Sequence, residues 1–509
     1  MSRTTTDTCC LTLPLKTEKW QEDRLEKRFE IARQIYNTLL GFELKKYRRL
    51  TSSDEYLAVI ERIRNTEDDP VGRKESFEQL GKMRRDAGFS EYTFTKDMKP
   101  FYKHFKENIG STVAVHCIAK QVWQAFDRLL YGDGKEIHFK RRGEIRSVKG
   151  YSSAGKSGGT EIIFKGEYIE WKGLKILIKE NPKNDYEQEM LQKRVKYCRI
   201  IKKPGKNKAH WYVQLALEGK PTIKRDKNTG EIKHPINDGV VGIDIGPQTI
   251  AYVSENEVGL KELADAVTNI EREKRLLLRK MDRSRRATNP DNYNEDGTYR
   301  RGVKLTRNKS KRYLRYQQQL GTIQQRQAEI RKRQHNELAN HLLTLGNTFY
   351  IEDMAWAGLA HRAKQTEISE KTGKYKRKKR FGKSIGNKAP KMLTSLLDLK
   401  LKSRGYEGIT EVPTSLRASQ YNHISDEYHK KELSERWNIM PDGRKIQRDL
   451  YSAFLLQHVQ ADDAATYCYN KQGLKQDYEH FVTMHDKCIV ELRNSSKTIA
   501  SMGIRRSAS

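Results

Sequence analysis

Residues 240–254, VVGIDIGPQTIAYVS, place one carboxylate, Asp244, in the middle of an otherwise apolar run. The apolar residues on both sides of the Gly-Pro-Gln turn predict two neighbouring β-strands. A charge taken out of water is costly unless a partner compensates it, and a bound metal ion is one of the few partners that compensates it fully. The stretch therefore predicts a core strand whose acid needs a cation.

Two further acids lie in comparable settings. Glu352 follows an apolar strand in FYIEDMAW, and Asp449 lies in the first turn of the apolar helix predicted from RDLYSAFLLQHV. Each alone has a structural explanation, because acids at strand ends commonly make turns or ion pairs and acids at helix starts commonly cap the helix. Asp353 should point to the opposite face of the strand from Glu352, which makes Asp353 the weaker ligand candidate.

Together the acids indicate a more specific arrangement. An acid on a first strand, one on a later strand and one on a final helix is the order that gathers carboxylates in a ribonuclease H type fold. Such oxygen donors suit Mg²⁺, for which Mn²⁺ can substitute. Two such ions about 3.5 to 4 Å apart can activate a water and stabilise the leaving oxygen of a phosphodiester. Asp244, Glu352 and Asp449 are therefore the candidate catalytic residues and metal ligands.

The composition indicates polyanionic partners. The 509 residues include 99 Lys and Arg against 66 Asp and Glu, a formal net charge of +33, with 36% hydrophobic residues. Such a chain should fold and bind polyanions, and a ribosomal or chromatin-like binder is one interpretation. The sequence has no run of eighteen apolar residues and no signal peptide, so we expect a cytosolic protein that does not associate with membranes. The six cysteines are scattered, which disfavours a disulfide framework and a cysteine zinc site.

Patterns along the chain separate several regions. LTLPL, residues 11–15, predicts a strand, and apolar steps of three and four after Trp20 predict helices. Residues 131–218 contain short strands at close spacing, as in a small barrel or sandwich, so the helices are an insertion if LTLPL joins that sheet. A polar linker precedes a domain boundary near residue 238. Strands and then helices follow, which predicts an α/β layered domain, and we expect disorder from residue 494.

At these residues the chain resembles the TnpB family of transposon-encoded RNA-guided DNA endonucleases and their relatives, the compact type V CRISPR effectors. GIDIGPQTIA is similar to the first RuvC motif with its Asp, YIEDMA to the second with its Glu, and RDLYSAF to the third with its Asp. LPLKTEKWQEDRLEKRFEIARQIYN is similar to the family's N-terminal strand and first recognition helix, and FGKSIGNKAP to the stretch after the second motif. The resemblance assigns the catalytic carboxylates to Asp244, Glu352 and Asp449.

The resemblance implies a multidomain α/β protein, in which a RuvC (ribonuclease H-like) nuclease domain accompanies a split wedge β-barrel with an inserted helical recognition domain. The implied bounds are 1–19 and 131–237 for the wedge barrel, 20–130 for the recognition domain, 238–412 for the RuvC domain with its basic helical segments, 413–447 for a zinc-ribbon-like subdomain that binds target nucleic acid, 448–475 for the final RuvC helix and 476–509 for a C-terminal tail.

The resemblance also implies partners and a location. The protein would bind a structured guide RNA, read a short motif beside the target in double-stranded DNA, and cleave DNA that pairs with the guide in an RNA–DNA heteroduplex. It would act as a monomer on one RNA in the prokaryotic cytosol, associated with the nucleoid when it targets DNA.

One departure from the family concerns zinc. Relatives commonly carry a four-cysteine zinc ribbon between the second and third motifs, but residues 415–449 contain no cysteine. His423 and His429 alone make a poor zinc site, so no zinc is expected. LSERW still resembles the middle of the ribbon, which predicts a cysteine-free subdomain. Its aromatic residues would either form a small packed core or stack on bases, and they are Tyr421, Tyr428 and Trp437.

Basic segments flank the second motif. Residues 371–391 contain ten Lys or Arg and no acid, and residues 299–316 contain eight and again no acid. A charge run is commonly a solvated face, but a duplex laid across the predicted metal site would pass near these runs. Arginines at steps of three and four between residues 272 and 283 suit phosphates better than bases. The candidate nucleic-acid contacts are Arg283, Arg285, Arg286, Lys376, Arg377, Lys378, Lys379 and Arg380.

Two other functions stay open at the level of sequence. The first is a nuclease-inactive guided DNA-binding repressor or a general RNA-binding protein, for which the positive charge would suffice. The second is a DNA transposase, whose acidic site uses the same metal chemistry on a related fold. Because all three acids are present, the residues favour a nuclease over an inactive repressor.

Overall fold

The structure, a computed structural model, describes residues 6–66, 69–110, 113–132, 134–151, 162–205, 208–362, 365, 367–368, 373, 381–432, 435–461, 466–495 and 498–505. The chain divides after Ile223 into two compact units. This division falls inside the polar linker that precedes residue 238. The predicted multidomain α/β architecture is confirmed in this coarse form, and the finer domain bounds remain predictions.

The first unit is built on an antiparallel sheet. The strand bounds are β1 Thr8–Lys16, β2 Ser147–Tyr151, β3 Ile162–Phe164, β4 Tyr168–Trp171, β5 Leu174–Ile178, β6 Val195–Lys203 and β7 His210–Glu218. Within the described part of the unit the order is β2-β6-β7-β1-β5-β4-β3. The sheet is nearly closed, because a Cβ built on Gly150 in β2 would lie 2.7 Å from Ile162 Cβ in β3.

Helices fill the chain between β1 and β2. Their bounds are α1 Lys19–Thr51, α2 Asp54–Asn65, α3 Pro70–Asp86, α4 Glu91–Asp97, α5 Lys99–Tyr102, α6 Lys106–Ile109 and α7 Ala119–Tyr131. A further helix, α8 Asp185–Leu191, lies between β5 and β6. Since β1 pairs with β5 and β7, the helices are inserted into the sheet. Helix α1 buries its predicted apolar face there, and Phe29 packs edge-on against Trp171 and Trp211.

The second unit contains the opening stretch at the centre of a mixed sheet. The strand bounds are β8 Val240–Ile245, β9 Thr249–Val253, β10 Val258–Glu262, β11 Thr348–Glu352 and β12 Thr410–Val412. Among the described strands the order is β10-β9-β8-β11-β12. Strands β8, β9 and β10 are antiparallel neighbours, whereas β11 and β12 run parallel to β8. Strand β10 was not predicted, because VGLKE is short and leads directly into a charged segment.

Helices cover both faces of this sheet. Their bounds are α9 Val267–Thr288, α10 Lys311–Leu343, α11 Trp356–Ala360, α12 Gly382–Lys388, α13 Pro390–Ser403, α14 Arg448–Gln457 and α15 Lys471–Asn494. Alternate residues of β8 and β11, such as Ile243 and Phe349, pack on one face with Leu342 of α10 and Leu397 of α13. Helices α14 and α15 pack on the other face. Short hairpins complete the unit: β13 Tyr421–Asn422 with β14 Glu427–Tyr428, β15 Trp437–Ile439 with β16 Lys445–Gln447, and β17 Val459–Ala461 with β18 Tyr467–Tyr469.

The predicted C-terminal tail is wrong for much of its length. Helix α15 runs through the predicted boundary at residues 475 and 476, and its buried face includes Phe481 and Ile489. Beyond residue 494, where disorder was expected, Met502 and Ile504 are buried. The charged residues of α15 obscured its helical spacing in the sequence, although Leu474, Tyr478 and Phe481 recur at steps of four and three.

The predicted aromatic core of the ribbon-like subdomain is partly wrong. Tyr421 is buried and stacks on Tyr469, with ring centroids 4.8 Å apart, while Tyr428 at the edge is 48% exposed. Trp437 packs elsewhere, edge-on to His485, and donates its indole N–H to the Gly503 carbonyl. The error arises because Tyr469 and His485 come from segments outside the predicted subdomain.

The longest helices of the second unit, α9, α10 and α15, are polar in composition. In the described parts of both units, no helix combines the length and the apolar composition that a membrane crossing would need.

Candidate active site

Helix α14 lies directly against β8 because β8 has a glycine at the point of contact. A Cβ built on Gly242 would lie 2.0 Å from the Ala453 carbonyl oxygen and 2.3 Å from the Gln457 amide nitrogen. No side chain fits there, so the strand and helix backbones can approach closely. Gly242 precedes Asp244 by two residues, and side chains two apart on a strand share a face. Asp244 therefore faces the helix that carries Asp449.

Glu352 joins the same face through the strand register. Strands β8 and β11 are parallel neighbours with Ile351 opposite Ile243, so the next pair in register is Glu352 and Asp244. Paired residues of adjacent strands project to the same side of a sheet. Asp353 is exposed, and its N–H donates to the Val412 carbonyl at 2.9 Å.

Asp449 is free of the capping role that its position at a helix start suggests. The side chain of Gln447 caps α14, since its Oε1 accepts the Leu450 N–H at 2.8 Å. Asp449 is only 9% exposed. Its carboxylate is therefore available for ion pairs in a partly desolvated setting.

The three carboxylates act on one another electrostatically. Burial raises the pKa of Asp244 well above its usual value, and the negative charges of Asp449 and Glu352 raise it further. The Arg448 charge and a hydrogen bond with the Ser452 hydroxyl oppose this rise in the pKa of Asp244. Burial also raises the pKa of Glu352. The fold thus brings the three sequence-predicted acids into one negative environment.

An arginine that the sequence analysis did not single out compensates part of this charge. Arg448 Nη2 and Nε lie 3.2 Å and 3.3 Å from Asp449 Oδ1. Arg436 Nη1 lies 3.8 Å from the same oxygen. The Arg-Asp pair of RDLYSAF was a signal for this contact, but neighbouring residues in a sequence rarely show which of them pair.

The donor chemistry of the three acids fits Mg²⁺, whereas their present placement does not form a ready ligand set. Carboxylate oxygens are the donors that this hard cation prefers, and a cation would relieve the repulsion that raises the pKa of Asp244. Over the part of the chain that the structure describes, however, no group of three or more His, Cys, Asp or Glu is positioned to hold a metal ion. Asp449 Oδ1 is instead paired with Arg448.

The predicted nucleic-acid contacts on α9 differ in their surroundings. Arg285 and Arg286 both pair with Asp282, and Arg286 Nη1 donates to the Gly297 carbonyl at 2.8 Å. Each guanidinium also lies over a tyrosine ring of the α9–α10 loop. Arg283 is exposed and makes no ion pair with the described residues. The structure thus leaves Arg283 accessible, while Arg285 and Arg286 also organise the loop.

The second group of predicted contacts cannot be placed. Lys376, Arg377, Lys378, Lys379 and Arg380 lie outside the described residues. Their role stays a prediction.

Comparisons with known proteins give matches among solved structures. No protein-family model matches the chain, and no curated protein matches it in sequence. The chain is similar to the protein in a cryo-EM structure of the Cas12f1–sgRNA–target DNA complex, with 11% identity, coverage of 88% of this chain and 98% of that chain, and a TM-score of 0.39. It is also similar to a chain in a cryo-EM structure of the CRISPR–Cas12f ternary complex, with 12% identity, coverage of 86% and 82%, and a TM-score of 0.26.

Proposed function

We propose that the protein is an RNA-guided DNA endonuclease that hydrolyses phosphodiester bonds at Asp244, Glu352 and Asp449. The observation that carries the proposal is the convergence of these acids on one face of the β8–β11 sheet, where two of them raise the pKa of the third. A chain of net charge +33 suits a long guide RNA and a heteroduplex as partners. The RuvC-like motifs supply the expectation of guided cleavage.

The strand order supports a ribonuclease H-like assignment for the second unit. Three antiparallel strands followed by two parallel ones, with the first strand central, match the layout expected from the positions of the three acids. Asp244 comes from the central strand, Glu352 from the end of its parallel neighbour, and Asp449 from the helix packed on both.

The chain's own residues have separable roles in this proposal. The three carboxylates would hold Mg²⁺, or Mn²⁺ in its place, and bound metal supplies Lewis-acid stabilisation and water activation. A cation would favour the ionised form of the Asp244 carboxyl, because it would offset the burial and the negative charges that raise its pKa. The Ser452 hydroxyl, which donates to the Arg448 carbonyl at 3.1 Å, opposes the rise in the pKa of Asp244. Exposed basic side chains would bind phosphates and position the strand.

The test compares neighbouring acids. Asp244→Asn should abolish cleavage of a DNA target complementary to the RNA that copurifies with the protein, while RNA and target binding persist. Asp353→Asn changes an exposed acid one residue from Glu352 and should leave cleavage unchanged. Cleavage by the Asp244→Asn protein at the wild-type rate would remove the assignment.

A nuclease-inactive guided binder is the second candidate, and one observation favours it. Within the described chain the carboxylates do not stand as an assembled metal-ligand group, and Asp449 is paired with Arg448. A protein whose acids stayed in that arrangement would bind RNA and target DNA without cutting. Incubation of the RNA-bound protein with target in Mg²⁺ or Mn²⁺ separates the two candidates, since the binder leaves the DNA intact.

A further inference from the structure

Arg448 contacts two different parts of the second unit with one guanidinium. On one side Nη2 and Nε bond to Asp449 Oδ1 at 3.2 Å and 3.3 Å. On the other side Nη1 donates to the Glu435 carbonyl at 3.0 Å and to the Glu432 carbonyl at 3.5 Å. The Arg448 side chain is 12% exposed; its bonds to Asp449 are partly buried, whereas those to the two carbonyls are exposed. Arg448 therefore links a predicted metal ligand to the backbone that precedes the β15–β16 hairpin.

The same hairpin is bonded to the start of α14 through its backbone. The backbone N–H of Arg448 donates to the Arg436 carbonyl at 3.0 Å. Trp437 is paired with Gln447 in the antiparallel register of β15 and β16. We call residues 435–447 the ribbon hairpin. Arg448 thus contacts both the ribbon hairpin and the Asp449 carboxylate.

A metal ion and Arg448 compete for the same oxygen. Asp449 Oδ1 receives both bonds from Arg448 and is also the atom nearest to Arg436 at 3.8 Å. A divalent cation next to this oxygen would repel a guanidinium already in contact with it. Arg448 and a metal ion therefore compete for Asp449, and each disfavours binding of the other at Oδ1.

We propose that Arg448 is a positioning residue that holds Asp449 in a metal-excluding state and couples its release to the ribbon hairpin. This inference rests on the proposed function, because it takes Asp449 as a metal ligand. Coupling between two equilibria is reciprocal. Metal that displaces Arg448 from Asp449 loosens the ribbon hairpin, and a partner that draws the ribbon hairpin and Arg448 away from Asp449 favours metal binding.

The first experiment measures Mn²⁺ binding to the purified full-length protein by isothermal titration calorimetry. Arg448→Gln removes the competing charge and should raise the Mn²⁺ affinity about tenfold, the effect expected from losing hydrogen bonds to a charged group. Arg448→Lys keeps the charge and should bind Mn²⁺ nearly as weakly as the wild type. Thermal unfolding of each variant establishes that it is folded.

The second experiment measures amide hydrogen exchange in the ribbon hairpin. Saturating Mn²⁺ should accelerate exchange of residues 435–447 in the wild type. The same addition should leave exchange unchanged in Arg448→Gln, because the link is already absent. A merely structural role for Arg448 predicts faster exchange in the variant but no tightening of Mn²⁺ binding.

A matched control lies within the ribbon hairpin itself. Arg444 pairs with Glu479 at 2.9 Å and with Asp442 at 3.5 Å, and neither partner is a predicted ligand. Arg444→Gln should therefore leave the Mn²⁺ affinity unchanged.

The outcomes separate this inference from the proposed function. Suppose that the wild type binds Mn²⁺, Asp244→Asn does not, and Arg448→Gln binds Mn²⁺ no more tightly than the wild type. The competition is then refuted and the metal site stands. If neither the wild type nor Arg448→Gln shows Mn²⁺ binding that Asp244→Asn removes, the metal site itself is refuted, and the inference falls with it.

Discussion

Gly242 is the residue on which the proximity of Asp244 and Asp449 depends. A methyl group at this position would overlap the backbone of α14, with 2.0 Å to the Ala453 oxygen, and helix backbone cannot yield as a flexible side chain can. Gly242→Ala should therefore push α14 from β8 and destabilise the second unit by about 1 to 3 kcal/mol. Cleavage should be lost even at temperatures where the variant is folded. Thermal unfolding and target cleavage measure the two effects.

Gly386 provides the control for this substitution. It lies in helix α12, and nothing lies within 4 Å of a Cβ built on it. Gly386→Ala should leave cleavage intact and stabilise the helix by up to about 1 kcal/mol, because alanine is the better helix former. Equal activity and stability of the two alanine variants would contradict the close strand–helix contact.

Glu43 gives the first unit a pH-dependent stability. Its side chain is fully buried in α1, and burial raises its pKa to about 7, although Lys46 Nζ lies 2.9 Å from Oε2. In the unfolded chain the pKa of a glutamate is near 4.3. The folded state thus binds the proton more tightly, and its contribution is complete below the unfolded pKa and is lost as the pH rises through 7.

Glu43→Gln should therefore remove this pH dependence. The free energy of unfolding of the wild type should fall by about 3 kcal/mol relative to the variant between pH 4 and pH 8, since one pKa unit corresponds to about 1.4 kcal/mol. Denaturant unfolding at several pH values measures the difference. Glu78→Gln, at an exposed position on α3, should follow the wild type at every pH. A constant difference between wild type and Glu43→Gln would refute the shifted pKa.

At the scale of elements, residues 279–315 form the tip of the α9–α10 pair, which contains both ion-paired and unpaired arginines. Residues 279–315 contain thirteen Lys or Arg and four Asp or Glu, so the tip is strongly basic. All three arginines are exposed, but Arg285 and Arg286 share an ion pair with Asp282, whereas Arg283 makes no ion pair with the described residues. If the tip binds a phosphate backbone, Arg283→Gln should make the slope of log K against log salt less negative by about 0.9, as expected for the loss of one phosphate contact.

The paired arginines provide the comparison. Arg286→Gln should change the salt slope less than Arg283→Gln, because Asp282 screens its charge in the free protein. It should instead destabilise the loop, since the bond from Arg286 to the Gly297 carbonyl is lost. Fluorescence anisotropy with the copurifying RNA over a range of KCl concentrations measures the slopes. An unchanged slope for Arg283→Gln would exclude it from the nucleic-acid interface.

Elements with clean periodicity could be predicted from the sequence, and those with mixed composition could not. The apolar face of α1 and the strands β8, β9 and β11 follow from residue spacing, because burial of one face selects that spacing. Helix α15 was missed because charged residues flank its buried positions, and strand β10 because it is short and leads directly into a charged segment. The three acids could be chosen as candidates, but the roles of Gly242 and Arg448 could not, since close backbone approach and ion-pair choice depend on tertiary contacts.

At the scale of the whole molecule, the excess of positive charge makes a prediction about nucleic-acid binding. A net charge of +33 on 509 residues exceeds what solubility requires. Because 99 Lys and Arg face only 66 Asp and Glu, part of the basic surface has no compensating acid. If most of this surface meets phosphates, the RNA complex forms with release of many counterions, and the slope of log K against log salt should be steeper than about −10. Fluorescence anisotropy titrations at KCl concentrations from about 100 to about 500 mM measure this slope. Asp244→Asn should share the wild-type slope, because the proposed role of Asp244 is to hold metal and not to bind phosphates of the guide. A slope of about −3 would instead mean that most basic residues are solvated faces, and the protein would then engage only a few phosphates at a time.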